Sequence, residues 1–261
     1  MNILSTKPII KRGNNFYRGT EIVYKILCTT CGASIFRANQ GYKSFCSLEC
    51  KQINREPKSS TIMSLADKEP DSFYYLIGLI ATDGHIGHNS SYCEIRLSVY
   101  DDSSIKLLSD IQQIFGGKVC KEGNGIVWSI YSIHFHTFLK NIGFTSNKSL
   151  TLNLSKWFNS LNESYKWSFM RGVIDGDGSI NTKFKNLCIV SSSIHFTKMV
   201  SNFLRHTNDK VYTYKIKSKN PCWKISVNGK NVLPILDMVY TNNPQLFLER
   251  KHIQYGDYTR K

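Results

Sequence analysis

Two short stretches of this chain place aspartates in the same setting. The first reads Leu76-Ile77-Gly78-Leu79-Ile80-Ala81-Thr82-Asp83-Gly84, and the second Met170-Arg171-Gly172-Val173-Ile174-Asp175-Gly176-Asp177-Gly178. They align without gaps. In each, a glycine stands five residues before an aspartate, and that aspartate precedes a glycine. A glycine in mid-helix weakens the helix by roughly 1 kcal/mol relative to alanine. Close approach of two helices is one common compensation. If Gly78 and Gly172 face each other, Asp83 and Asp177 come together at the helix ends. Adjacent carboxylates repel unless a proton or cation lies between them. Oxygen ligands in a wet site favour Mg²⁺, and a metal shared by two carboxylates suits phosphodiester hydrolysis by activated water. One copy alone reads as an Asp-Gly turn at a helix end. Two copies in matching context carry the metal reading.

A second constellation is Cys28-x2-Cys31-x14-Cys46-x3-Cys50. Four thiolates at these spacings suit a structural, tetrahedral Zn²⁺ with no position left open for water. A disulfide pair is the alternative. The remaining cysteines, Cys93, Cys120, Cys188 and Cys222, are scattered among apolar residues and read as small buried hydrophobes.

The elements that must position these residues follow from a repeat. The helical run from Ser72 to Asp83 and the run from Glu163 to Asp177 are each followed by the same order of patterns. Two short strands come next, near residues 85–89 and 93–100, then 179–185 and 187–192. An amphipathic helix follows, near 103–115 and 194–207, with Ile105, Leu108, Ile111 and Phe115 at helical spacing. Two more strands are expected near 117–121 and 126–132, then 210–217 and 222–228. A last helix lies near 134–142 and 230–240. Each half therefore reads αββαββα, which makes the chain α+β with two pseudo-symmetric subdomains and antiparallel sheets. Ile95, Leu97 and Val99 alternate with Glu94, Arg96 and Ser98. Trp223, Ile225 and Val227 alternate with Lys224, Ser226 and Asn228, and Tyr212, Tyr214 and Ile216 with Thr213, Lys215 and Lys217. Such sheets put one face on helices and leave a polar face open. In the second half that open face is expected to be lysine-rich, a surface suited to the DNA major groove.

The expected organisation is a small N-terminal zinc module over residues 1–54, a linker over 55–71, a first subdomain over 72–150 and a second over 151–261. Hydrophobic residues are 41% of the 261, enough for a core, and no run of eighteen apolar residues suggests a membrane span. Residues 1–15 lack a secretory core, so a soluble, intracellular protein is expected. The formal net charge is +15. Residues 1–60 carry ten Lys/Arg against three acids, residues 61–200 thirteen against twelve, and residues 201–261 eleven against four. A basic excess at both ends suits nucleic acid, with affinity that falls with salt. Basic residues placed for DNA are Arg96, Lys118, Lys121, Lys183, Lys185, Lys215, Lys217 and Lys224, with Arg37 and Lys43 in the cysteine module.

With both aspartate motifs in place, the chain resembles the LAGLIDADG homing endonucleases of the single-chain, two-motif kind, over roughly residues 72–255. The resemblance implies saddle-shaped sheets over double-stranded DNA and two or three catalytic Mg²⁺ ions held by Asp83 and Asp177. It also implies cuts in both strands across the minor groove. Ala81 stands where the second motif has Asp175, a position that is not a metal ligand in the family. The family often keeps a basic residue after the last helix of each half. Lys148, in Gly143-Phe144-Thr145-Ser146-Asn147-Lys148, and Lys251, in Leu248-Glu249-Arg250-Lys251, match by position. A lysine there could polarise water or stabilise charge on the phosphate. Asp101 and Ser192 follow equivalent strands and are expected in the two solvent pockets. The cysteine cluster resembles a treble-clef zinc finger that adds DNA contact. Function is expected to be site-specific cleavage of a long asymmetric DNA target by a monomer. The alternatives are an intron RNA-splicing maturase, whose partner would be RNA, and a non-cutting DNA-binding regulator. Nothing resembling intein splicing chemistry flanks the motifs.

Overall fold

The computed structural model describes residues 9–12, 15–18, 21–27, 33–37, 60–88, 91–217, 222–241 and 243–259. The chain divides into two compact units, residues 1–57 and residues 58–261. In the first unit four strands, β1 (Ile9–Arg12), β2 (Asn15–Arg18), β3 (Glu21–Leu27) and β4 (Ser34–Arg37), form one antiparallel sheet in sequence order. Arg37 closes β4, opposite Tyr24. Cys28, Cys31, Cys46, Cys50 and Lys43 lie outside the described residues.

The second unit opens with α1 (Ser60–Lys68) and α2 (Pro70–Asp83). The first half continues through β5 (Gly84–Ile86), β6 (Tyr92–Leu97), α3 (Asp102–Phe115), β7 (Lys118–Glu122), β8 (Gly125–Tyr131) and α4 (Ile133–Ile142). Two short helices, α5 (Lys148–Thr151) and α6 (Ser155–Ser160), lead to α7 (Glu163–Asp177). The second half runs through β9 (Gly178–Asn181), β10 (Asn186–Ser191), α8 (Ile194–Thr207), β11 (Val211–Ile216), β12 (Cys222–Asn228), α9 (Val232–Tyr240) and α10 (Glu249–Thr259). The sheets have orders β5-β6-β8-β7 and β11-β12-β10-β9, and each is antiparallel throughout.

The expected linker is corrected by α1. Its Ile62 is fully buried and Leu65 nearly so. Prolines made residues 55–71 read as irregular, but Pro70 sits in the first turn of α2, where its missing N–H costs nothing. The helix therefore starts two residues before Ser72. The expected boundary at residue 150 falls inside α5.

Local chemistry explains the helix ends. Asp101, Ser132, Asn162 and Ser193 each accept the backbone N–H of the third residue of the following helix, which satisfies one orphan donor of its first turn. Gly143 ends α4 with a φ of 119°, a backbone that glycine adopts without strain.

Helices α2 and α7 pack against each other at the centre of this unit. A Cβ on Gly78 would lie 2.0 Å from the Phe169 carbonyl oxygen and 3.2 Å from the Gly172 Cα. A Cβ on Gly172 would lie 2.2 Å from the Tyr75 carbonyl oxygen. The two backbones touch where both side chains are hydrogen. Around them Ile77, Ile80, Phe169, Met170, Val173 and Ile174 are fully buried. Tyr74 of α2 stacks on Tyr165 of α7 with ring centroids 4.4 Å apart.

Candidate functional site: the paired helix ends

Both aspartates end their helices at this crossing. A Cβ on Gly176 would meet the Thr82 Oγ1 at 1.9 Å and the Asp83 Oδ2 at 2.7 Å. The last turn of α7 is therefore pressed against the last turn of α2. Burial, then the Asp177 charge, pushes the Asp83 carboxyl up to about 6. Burial also raises the Asp177 carboxyl, with Lys148 and then Lys251 opposing the rise. The two acids sit in a partly desolvated place where protonation or a cation relieves them.

Each helix end is held by a buried lysine from its own half. Lys148 Nζ donates to the carbonyls of Ala81 (2.8 Å) and Thr82 (2.5 Å) in α2. Lys251 Nζ donates to the carbonyls of Ile174 (2.7 Å), Asp175 (2.6 Å) and Gly176 (3.1 Å) in α7. These carbonyls form the negative end of the helix dipole, so an ammonium is well placed there. Burial lowers both ammonium groups to about 8, against the pull of the nearby acids. The stronger lysine at each acid belongs to the opposite half: Lys251 leads at Asp83 and Lys148 at Asp177. The result is two composite half-sites.

A cavity of about 220 Å³ opens at one of them, lined by Thr82, Lys148, Ser149, Asp177, Val190 and Ser192 among others. At the other, Arg250 Nη1 reaches both Asp101 carboxylate oxygens (3.3 Å each) and Ser104 Oγ (2.9 Å). By capping role the counterpart of Asp101 is Ser193, not Ser192. Ser193 Oγ donates to the Leu152 carbonyl at 2.6 Å.

Asp175 is a site residue that sequence reasoning passed over. It is fully buried, and it accepts from Tyr75 Oη (2.9 Å), Tyr240 Oη (2.6 Å) and the Leu248 N–H (2.7 Å). It fixes the start of the 248–251 segment that carries Lys251. The available signal was an aspartate inside an apolar run whose partner motif has Ala81.

The basic residues divide by strand register, because residues opposite each other in a pair share a face. In the first half Arg96 and Lys118 lie on the face away from the helices with Tyr92, Glu94 and Tyr131. Arg96 is paired there with Glu94 (3.5 Å) and Glu122 (2.9 Å). Lys121 is exposed on the edge strand β7, on the face of Ile126, and its Nζ stands 4.3 Å from the Tyr100 ring centre. In the second half Lys224 lies on the open face, opposite Tyr214. Lys215 is opposite Trp223, on the face of Ile225 and Val227, and Lys217 follows the strand end. The open face is thus tyrosine-rich rather than lysine-rich, with Tyr212 and Tyr214 54% and 46% exposed. Val211, buried opposite Val227, sets this register; sequence alternation alone pointed the tyrosines inward. Lys183 and Lys185 sit in the β9–β10 turn. Of the scattered cysteines Cys93 and Cys188 are buried, but Cys120 is exposed on an open face, which corrects its reading as core.

Among the described residues no group of three or more His, Cys, Asp or Glu side chains could hold a metal ion. Asp83 and Asp177 are two hard oxygen donors at the mouth of the helix pair. A divalent ion of the Mg²⁺ kind fits that donor set only with further oxygens from water or a phosphate. Among the described residues no helix is long and apolar enough to cross a membrane.

Comparison with known proteins agrees with this architecture. The family model of a LAGLIDADG-like domain matches residues 164–249. The fold is similar to that of a mesophilic variant of the homing endonuclease I-DmoI, with a TM-score of 0.51 and 14% identity, covering 65% of this chain and 95% of that one. It is similar also to an I-DmoI variant in complex with its target DNA, nicked in the coding strand, in the presence of 2 mM Mn, with a TM-score of 0.50, 14% identity, and 66% and 96% coverage. A curated relative, the DNA-directed RNA polymerase subunit Rpo1C of Methanocaldococcus jannaschii, is 26% identical over 155 residues, which are 57% of this chain. The chain spans only 17% of that relative's length. Residues 164–249 thus match the model of a LAGLIDADG-like domain, and the two-sheet fold around them is similar to that of the homing endonuclease I-DmoI.

Proposed function

We propose that this protein is a site-specific DNA endonuclease that acts as a monomer and cuts both strands of a long asymmetric duplex in a Mg²⁺-dependent reaction. The observation that carries the reading is the meeting of Asp83 and Asp177 at the ends of two helices in backbone contact, each end braced by a buried lysine.

Asp83 and Asp177 would hold the divalent ions, with two or three ions in all. A bound ion supplies Lewis-acid polarisation of a phosphate and an activated water. The chain's own residues do the rest. The glycine contact sets the carboxylates side by side. Lys148 and Lys251 pin the helix ends so that neither carboxylate can swing away, and their charge offsets that of an incoming phosphate. Asp175 is a positioning residue that keeps the Lys251 segment in place. The open sheet faces lie against the major groove, with Arg96, Lys118, Lys224 and the turn lysines Lys183 and Lys185 contacting phosphates or base edges. Lys215 and Lys217 would reach phosphates from the strand end. Asymmetry of the two faces predicts an asymmetric target.

The N-terminal unit adds affinity through Arg37 and Lys43, and the four cysteines Cys28, Cys31, Cys46 and Cys50 hold a structural Zn²⁺. Metal analysis of the purified chain is expected to give one zinc per molecule; none would remove the zinc module from the account.

The reading is tested by cleavage selection from a randomised duplex library with Mg²⁺ and with EDTA. Recovery of one site, cut only with Mg²⁺, supports it. Retention of one site without any cut, in either condition, opposes it.

A further inference from the structure

The two half-sites are built from matching positions but are tied together differently. In both, the cap of the second helix of one half is bonded to the lysine-bearing segment of the other. At the Asp177 half-site this tie is neutral and buried: Ser193 Oγ to the Leu152 carbonyl, with Ser193 1% exposed. At the Asp83 half-site it is charged and open to solvent: Arg250 to Asp101 and Ser104, with side chains 38% and 36% exposed for the ion pair. Asn147 stands before Lys148 where Arg250 stands before Lys251. The lysines differ too. Among the described residues Lys148 Nζ has two acceptors and Lys251 Nζ three. An ammonium has three N–H groups, so Lys148 keeps one for a ligand and Lys251 keeps none. Lys148 lines the 220 Å³ cavity together with Asp177 and Ser192.

We infer that the Asp177–Lys148 half-site is preformed and cuts its strand first, while the Asp83–Lys251 half-site is latched by Arg250 on Asp101 until a DNA phosphate takes the guanidinium. This rests on the nuclease reading. A DNA phosphodiester carries the same single charge as a carboxylate, and its two non-bridging oxygens match the guanidinium fork, so it can take the arginine in a paired contact. In the free state Arg250 holds one exposed ion pair with Asp101 and a hydrogen bond to Ser104 Oγ; such a pair is worth little in water, so the expected lag between the two cuts is small, about three- to fivefold.

Single-turnover cleavage of a duplex recovered by the selection, with each strand end-labelled, reads the order. The wild type is expected to cut one strand about three- to fivefold faster. Lys148→Met should slow that strand selectively, and Lys251→Met the other. Asp101→Asn keeps the helix cap, since asparagine caps as well as aspartate; it should bring the slow strand up to the fast one and leave the fast one unchanged. Equal strand rates in the wild type, or a lag untouched by Asp101→Asn, would overturn the latch. A metal-free reading separates the two ideas. In EDTA the Arg250 Nε–Hε resonance is expected to move when DNA is added. A moved resonance with no cutting in Mg²⁺ would sink the nuclease reading yet support the exchange. An unmoved resonance in a protein that cuts would sink the exchange alone.

Discussion

Asp83 carries a carboxyl pushed up to about 6 by burial and by Asp177. Its folded value lies above the ordinary one of about 3.9 for the unfolded chain. The folded state therefore binds the extra proton, and its stability falls as pH rises from about 4 to about 6. Asp83→Asn removes that loss. In EDTA the variant should be more stable than the wild type by up to about 3 kcal/mol at pH 8, and the gap should close near pH 4. Thermal unfolding at the two pH values checks this; a gap that widens toward acid would contradict it. Burial raises the Asp175 carboxyl too, but its substitution is expected to have the opposite effect on stability. Among the described residues its three donors have no other hydrogen-bond acceptor, so Asp175→Ala leaves two tyrosine hydroxyls and one N–H buried. A loss of about 3–5 kcal/mol in urea unfolding is expected. The paired aspartates and both lysines were legible in the sequence because each sits at a matching offset in a repeat. Asp175 and the Arg250–Asp101 pair were not, because their partners come from segments 73 and 149 residues away.

At the scale of elements, the contact between α2 and α7 bears most on the site. Adding one methyl at Gly78 or Gly172 drives carbon into a carbonyl of the other helix, at 2.0 or 2.2 Å. Backbone cannot rotate away as a side chain can. Gly78→Ala and Gly172→Ala should each cost about 3 kcal/mol or more and part the aspartates. Gly256→Ala in α10 meets nothing within 4 Å and should be neutral or stabilising by up to about 1 kcal/mol. Chemical unfolding of the three variants makes the comparison. The helices and strands were readable because their apolar periods are clear. The faces of β11 were not: its tyrosines fit either side of a sheet, and only pairing of Val211 with Val227 decides. The α1 helix was missed because prolines flank it while its buried Ile62 and Leu65 give only one turn of signal.

The whole chain carries a net charge of +15, yet its open sheet faces hold acids and tyrosines among the basic residues. The expected DNA affinity is therefore divided between phosphate contacts and aromatic or polar base contacts. Lys224→Ala should lower affinity several-fold and flatten its salt dependence by about one unit of slope. Tyr214→Ala should lower affinity with the slope unchanged. Residues 58–261 form a compact unit of their own, so that fragment should fold and keep specific cleavage at reduced affinity. Two asymmetric halves in one chain predict a monomeric active species, to be checked by sedimentation with and without DNA.

The most direct test of the central claim is cleavage of a selected duplex by the wild type, Asp83→Asn and Asp177→Asn, with Mg²⁺ and with EDTA. The wild type is expected to make Mg²⁺-dependent breaks in both strands. A loss of at least about 100-fold is expected in each variant, with DNA affinity in EDTA retained. Tight, salt-sensitive binding without cutting by the wild type, or undiminished cutting by either variant, would contradict that claim.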